Sequence, residues 1–424
     1  MPEAQLLDPV RILHGADQQV VNDAALISDG QIIAFGSKAR ERAQELKLTP
    51  ESAPEKLLAP CLVDPHSVLE DPISSRSETL SSLRNAAAAS GFGQLALLPR
   101  SSSWRDRPER LQGFANSQSD IKIHLWGGFS RGGEGKELST HGDLLQHGAL
   151  GLADDDLILP LTLLQRGLLL GEMGAAPVLL APRDQGIQGD GMVREGVETL
   201  RAGWAPDPLA SETLPLGQIL ELQRQHPDRA IRVMNVSTAV GVNMLTTSPK
   251  PPMASVCWWH LVADRTTLQP TELGWRVTPS LGGPEDRQAL IQALADGIIN
   301  AVAVHAIPLD EEDTQQPPDQ RQPGLTGHQL VLPSLWQELV VKAGWSVEQL
   351  WQVLSFGPSK LLKLPEERLS CGSRRWLLFD PNKEWIQDRL HRNAPKAANQ
   401  PWQSRQLIGR VVACGLRSQE NPDD

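Results

Sequence analysis

From about residue 60 onward this chain repeats one pattern, a short apolar run and a stretch of helical periodicity, and few folds accept that repetition. Leu80–Ser90 has helical spacing and leads into Gln94–Leu98, an apolar strand. Ile121–Trp126 and Pro177–Ala181 are further strands. Leu214–Gln225 is a helix before the strand Ala230–Met234, and Pro284–Gly297 is a helix ending on glycine before the strand Ile298–Val304. Strands that alternate with helices run parallel, because each crossover returns the chain to the same end of the sheet. Over roughly 300 residues, a closed barrel suits that alternation better than an open sheet. The expected fold is therefore α/β, with a (β/α)8 TIM-type barrel over residues 60–365.

The two chain ends have a different texture. Val10–Leu13, Ala24–Ser28 and Gln31–Gly36 are short β-like runs, and Asp29-Gly30 between the last two is a hairpin signal. A charged helical segment, Ser37–Leu48, and a loop rich in Pro and Glu follow, ending at Leu57–Pro60. Beyond Leu364-Pro365 the runs Arg375–Pro381 and Leu407–Ala413 are β-like again. Residues 1–59 and 366–424 are thus expected to build one small composite β domain beside the barrel. Ser346-Val347-Glu348-Gln349 fits a capping box at the start of a helix, and Gln315–Pro323 reads as an exposed loop on the barrel's active face.

Charge and composition exclude several classes of function. A net charge of −11, with no cluster of Lys and Arg interleaved with aromatics, argues against nucleic acid as a partner. No uncharged apolar run approaches the roughly 18 residues a membrane helix needs. The N-terminus shows neither a basic n-region nor an apolar h-region, so the expected location is the cytoplasm. Cys61, Cys257, Cys371 and Cys414 lie far apart without a CxxC pair, and are read as reduced, mostly buried thiols. The chain has twelve Trp and no Tyr, a bias with no functional account in the sequence.

Catalytic groups of such barrels sit at the C-terminal ends of the strands. There, Pro60-Cys61-Leu62-Val63-Asp64-Pro65-His66-Ser67-Val68-Leu69-Glu70-Asp71-Pro72 resembles the first-strand motif of amidohydrolases of the dihydroorotase and allantoinase type. The resemblance continues through Ser77-Glu78-Thr79, Ala86–Phe92, Asn235–Ala239, Glu285–Leu290, Leu294–Gly297, His305-Ala306, Leu378–Pro381 and Gly409-Arg410-Val411, in order along nearly the whole chain.

What the resemblance implies about chemistry is then undercut by the residues themselves. Active relatives hold zinc on several imidazoles and carboxylates, which lower the pKa of bound water to make hydroxide, while an aspartate relays the proton. Their first strand carries Asp-x-His-x-His, two imidazoles pointing inward together because strand side chains repeat every two residues. Here His66 remains and the second position is Val68. The next His position falls on Ala181, the one before Val-Ser-Thr on Asn235, and the proton-carrying Asp on Val304; a carboxylate ligand survives at most as Asp154 or Asp155. The substrate positions are changed as well: the Arg that grips a carboxylate is Glu70, and two Asn positions are Arg100 and Thr278.

The sequence thus leads to a dihydroorotase-like chain with no functional catalytic residue and no expected metal or other cofactor. His66 is read as a buried structural His, and Asp154, Asp155 and Asp156 as a solvated acidic loop. His305 has no nucleophile or metal to serve as a base. Trp258 and Trp259 beside His260 suggest a pocket filled by bulky side chains, and Trp336, Trp345 and Trp351 suggest core packing. The resemblance implies a protein partner or homo-oligomer, with aspartate transcarbamoylase as the named candidate, since inactive dihydroorotase-like chains scaffold that enzyme. Two rival readings stand beside it: an active cyclic-amide hydrolase with an unusual metal site, and a metabolite sensor using Arg100 as an anion contact.

Overall fold

A computed structural model describes residues 4–114, 119–267, 272, 274–317, 319–391 and 393–418. The N-terminal strands are β1 (Ala4–Ile12), β2 (Val21–Ser28), β3 (Gln31–Phe35) and β4 (Glu51–Pro60). The barrel strands are β5 (Leu62–Ser67), β6 (Phe92–Leu97), β7 (Lys122–Gly128), β8 (Ala149–Ala153) and β9 (Pro177–Leu180), and then, after the two-residue strands β10 (Val193–Arg194) and β11 (Pro206–Asp207), β12 (Ala230–Val233), β13 (Met253–Cys257) and β14 (Ala301–Ala303). The chain closes with β15 (Trp376–Ile386) and β16 (Gln406–Cys414).

The barrel strands form one parallel eight-stranded sheet in the order β14-β13-β12-β9-β8-β7-β6-β5. Its two ends meet through the backbone just past the last strands, where the Val68 N–H donates to the Ala306 carbonyl at 2.7 Å. The expected (β/α)8 barrel is therefore present. Its packing follows from alternation along each strand. Leu95, Leu97, Leu125, Leu152, Val178, Leu180, Ile231 and Val233 belong to the main core shared with the surrounding helices. Their neighbours of opposite parity, Ala96, Leu98, Trp126, Ala153, Leu179, Ala181 and Met234, form a separate buried cluster that fills the interior.

The chain ends make a six-stranded sheet in the order β16-β15-β4-β1-β2-β3, the expected composite domain. Asp29 and Gly30 turn β2 into β3 with φ of 49° and 74°, the left-handed geometry a two-residue hairpin requires. One expectation is corrected here. The Pro- and Glu-rich segment read as a loop is strand β4, paired parallel with β1 and antiparallel with β15. Pro54 lies where the register skips, between Val10↔Ala53 and Arg11↔Leu57, so the ladder loses no bond to the missing N–H.

Helix Leu80–Ala89 lies close to expectation, and Ser346 caps helix Val347–Trp351 in a reciprocal box with Gln349. The helix expected from Leu214 begins earlier, at Ala210, because Ser211 and Glu212 in its first turn are held by a buried arginine. That residue, Arg194, is 1% exposed; it meets Asp207 at 3.2 Å and Glu212 at 3.3 Å. The Glu212 carboxylate in turn accepts from the Ser237 N–H at 2.9 Å and the Thr238 hydroxyl at 2.6 Å, so one buried ionic network fixes the loop that leaves β12. Trp336, Trp345 and Trp351 are buried, and Gln315, Gln316, Pro317, Asp319 and Gln320 are exposed, while Pro318 lies outside the described residues. Cys61 and Cys257 are buried, Cys414 is half-buried and Cys371 is exposed. Among the described residues no helix is long and apolar enough to cross a membrane.

Candidate functional site at the barrel mouth

The C-terminal ends of the barrel strands bring His66, Ser255, Asn235 and His305 together. Ser255 sits between Ala254 and Val256, both of which face the helical layer, so alternation turns its hydroxyl inward. The His66 Nε2 lies 2.8 Å from Ser255 Oγ, and the His66 Nδ1 lies 3.1 Å from His305 Nδ1. The Asn235 N–H also donates to Ser255 Oγ, at 3.1 Å.

The contact between two Nδ1 atoms has a strict consequence. One ring carries the hydrogen and the other the lone pair, so the two rings are not both protonated. Burial agrees: it holds His66 well below the usual imidazole range, with repulsion from His305 adding to it, and lowers His305 to about 4. Both side chains are neutral at physiological pH. Burial also lowers His260 to about 4, and its Nε2 meets the Pro279 carbonyl at 3.1 Å.

The acidic run after β8 is held in place rather than solvated, which corrects the reading of a solvated loop. Asp154 is 6% exposed, and its two oxygens accept from the Ser130 N–H at 3.1 Å and the Ser130 hydroxyl at 2.5 Å. Burial pushes its carboxyl up to about 7 despite those bonds. Asp155 is also pushed up to about 7 by burial and by the charge of Asp156, with Arg100 opposing. Burial raises Asp156 too, but the Arg183 guanidinium and the Thr278 hydroxyl, both bonded to its carboxylate, outweigh it and leave its pKa lowered.

Two of the positions read from the sequence as altered substrate contacts, Glu70 and Arg100, bind each other. Arg100 meets Glu70 at 2.7 Å and Asp155 at 3.6 Å, so the Glu70 carboxylate is paired with an arginine from the next strand end. Thr278 joins Arg183 and Asp156 in a second group. Arg100 and Arg183 are therefore both engaged with carboxylates. Buried Arg105 clamps the rim from below, donating to the carbonyls of Leu98 and Leu69.

The donor set does not fit a zinc ion. Val68 and Ala181 belong to the apolar interior cluster, and the Val304 side chain lies in the main core while its N–H donates to Asp64 at 3.0 Å. Both ring nitrogens of His66 are already engaged. Among the described residues no three His, Cys, Asp or Glu side chains come together in a way that could hold a metal ion. The large ring filling the interior is Trp126, whose indole N–H donates to the Pro65 carbonyl at 3.1 Å. Trp258 and Trp259, expected to fill the pocket, instead pack with each other and with Trp402 in the main core.

Sequence reasoning missed Ser255, Arg183 and Trp126. The alternation around Ser255 was a usable signal. The partners of Arg183 are distant in the chain and left none.

No family model matches the chain. It is 32% identical to a probable dihydroorotase-like protein of Synechocystis sp., over 97% of this chain and 98% of that one. It is 27% identical to a dihydroorotase of Thermus aquaticus, covering 84% and 86% of the two chains. Its fold resembles that of the L-hydantoinase (dihydropyrimidinase) from Arthrobacter aurescens, with a TM-score of 0.77 and 16% identity over 97% of this chain and 94% of that one.

Proposed function

Because this chain belongs to the dihydroorotase family, we propose that it is a member that has given up metal-dependent hydrolysis of cyclic amides and acts in the cytoplasm as a structural partner. One observation carries the reading. The single surviving imidazole of the first-strand pair, His66, is bonded through both nitrogens to Ser255 and His305, while the neighbouring ligand positions Val68 and Ala181 serve as apolar packing. A site that makes hydroxide from water needs about three protein ligands around an open coordination position, and among the described residues no such set comes together.

The partner the family suggests is aspartate transcarbamoylase. Tagged chain recovered from its native host should bring that enzyme with it, and purified chain should leave dihydroorotate unconsumed with zinc added. Recovery of free chain without the transcarbamoylase would remove the partner. Zinc-dependent turnover of dihydroorotate would replace the whole reading by that of an active hydrolase. The sensor reading that uses Arg100 as an anion contact loses support, because Glu70 and Asp155 already neutralise that guanidinium.

A further inference from the structure

A cleft of about 710 Å³ lies on the flank of the molecule, where β15 and β16 of the composite sheet meet the barrel helices Leu80–Ala89 and His328–Leu335. His66, Asn235, Ser255 and His305 of the barrel mouth do not line it. Among the described residues its ionised lining is Lys383, Arg410 and Asp388, two cations to one acid in a chain whose net charge is −11. Asp388 is already engaged locally, where its Oδ1 accepts from the Leu390 N–H at 2.8 Å.

Arg410 is held without a counter-charge. Arg100, Arg183 and Arg194 are each paired with carboxylates. Half-buried Arg410 has no ion pair and no side-chain hydrogen bond among the described residues, and neither has Lys383. What fixes Arg410 is the Trp385 ring, whose centre lies 5.2 Å from its guanidinium carbon. The indole is itself anchored, since its N–H donates to the Gly409 carbonyl at 2.7 Å. Stacking occupies the face of a guanidinium and leaves its in-plane N–H groups available.

A fixed acceptor stands close by. Gln387 lines the cleft and is 1% exposed. Gln400 Nε2 spends both hydrogens on the Pro395 and Ala397 carbonyls, at 2.7 Å and 2.9 Å, so Gln400 Oε1 has to accept. It accepts from Gln387 Nε2 at 3.0 Å, which settles the orientation of that amide. Gln387 Oε1 is left with no protein donor among the described residues. Buried polar groups are nearly always satisfied, by protein, water or ligand. Gln387 follows Trp385 by two residues along an extended strand, so alternation turns both side chains the same way.

We propose that this cleft binds a phosphomonoester, with the phosphate on Arg410 and Lys383 and a hydroxyl or N–H of its organic part donating to Gln387 Oε1. The guanidinium and ammonium together offer more donors than the two oxygens of a carboxylate accept, and match the three terminal oxygens and nearly double charge of a phosphate. The site goes beyond the function proposed above and does not depend on whether the mouth holds a metal.

Titration calorimetry on the full chain at low ionic strength tests this with three probes: inorganic phosphate, glycerol 3-phosphate and the dicarboxylate succinate. Both phosphates should bind saturably, with dissociation constants on the order of millimolar, the scale for so few atoms. Glycerol 3-phosphate should bind the more tightly, and succinate about tenfold more weakly than it. Arg410→Gln should weaken both phosphates about tenfold, and Lys383→Gln should weaken both as well. Gln387→Met should remove the advantage of glycerol 3-phosphate and leave inorganic phosphate unchanged. Unfolding midpoints equal to that of the parent would assign these losses to the cleft. Should Gln387→Met fail to fold, the arginine and lysine variants, at half-buried and exposed positions, still decide the matter. Absence of phosphate binding, succinate binding as tightly as glycerol 3-phosphate, or phosphate affinity unchanged in Arg410→Gln would overturn the proposal.

Discussion

Val68→His rebuilds the two inward imidazoles of the first strand and asks whether one residue separates this mouth from a metal centre. Val68 is 2% exposed in the interior cluster with Trp126 and Ala181. Losing its buried methyl groups costs about 1.5 kcal/mol or more, an unpartnered buried imidazole about 1–3, and the added volume about 1–3. These effects overlap, because an imidazole that shifts to relieve crowding also finds better partners, so the net expectation is about 3–5 kcal/mol of destabilisation. A metal site would offset that loss. Zinc at a hundredfold excess over its dissociation constant would restore about 2.7 kcal/mol. No recovery is expected, because His66 remains bonded to Ser255 and His305, and Ala181, Asn235 and Val304 stand where the resemblance expects further ligands. Urea unfolding followed by tryptophan fluorescence, with and without zinc, gives both quantities. A variant as stable as the parent, or one that regains about 2 kcal/mol or more with zinc, would refute the argument.

Three further outcomes follow from the packing and the buried charges. Glu212→Gln takes one carboxylate from Arg194 and weakens the bonds to Ser237 and Thr238, so chemical denaturation should show a loss of about 3–5 kcal/mol, the cost of breaking a buried ion pair. Trp126→Ala empties the interior and removes the bond to Pro65, with an expected loss of about 3–5 kcal/mol in the same assay. Asp154 has a folded pKa raised to about 7, so its favourable contribution is present below the unfolded value near 3.8 and is lost as pH rises toward 7. The stability of Asp154→Asn relative to the parent should therefore increase from pH 4 to pH 7 and level off above; unfolding midpoints across that range that move in parallel would contradict it.

The barrel was legible because its signal is local and repeated: alternation marks the strands, and helical spacing marks the segments between them. The composite domain was legible from Asp29-Gly30 and the apolar runs at both ends, but β4 was hidden, because Pro54 and the charged residues around it imitate a loop and the partners, β1 and β15, lie on either side in space. The positions where ligands are expected could be named only through the resemblance to the dihydroorotase type. Their consequences could not be read that way. That Glu70 and Arg100 form a pair, that Arg183 closes on Asp156 and Thr278, and that Asp154 is bound to Ser130 depend on which strand ends are neighbours. The acidic run shows the limit most clearly, since three consecutive Asp residues resemble a solvated loop until burial and distant arginines are seen.

Zinc titration of the chelator-treated full chain, read by calorimetry with metal content measured after dialysis, tests the proposal that this mouth holds no catalytic metal. The donor set predicts no saturable zinc binding and no zinc retained. Retention of about one or two zinc ions per chain with submicromolar affinity would contradict the account, because it would mean that His66 leaves Ser255 and His305 to join ligands the fold does not bring together.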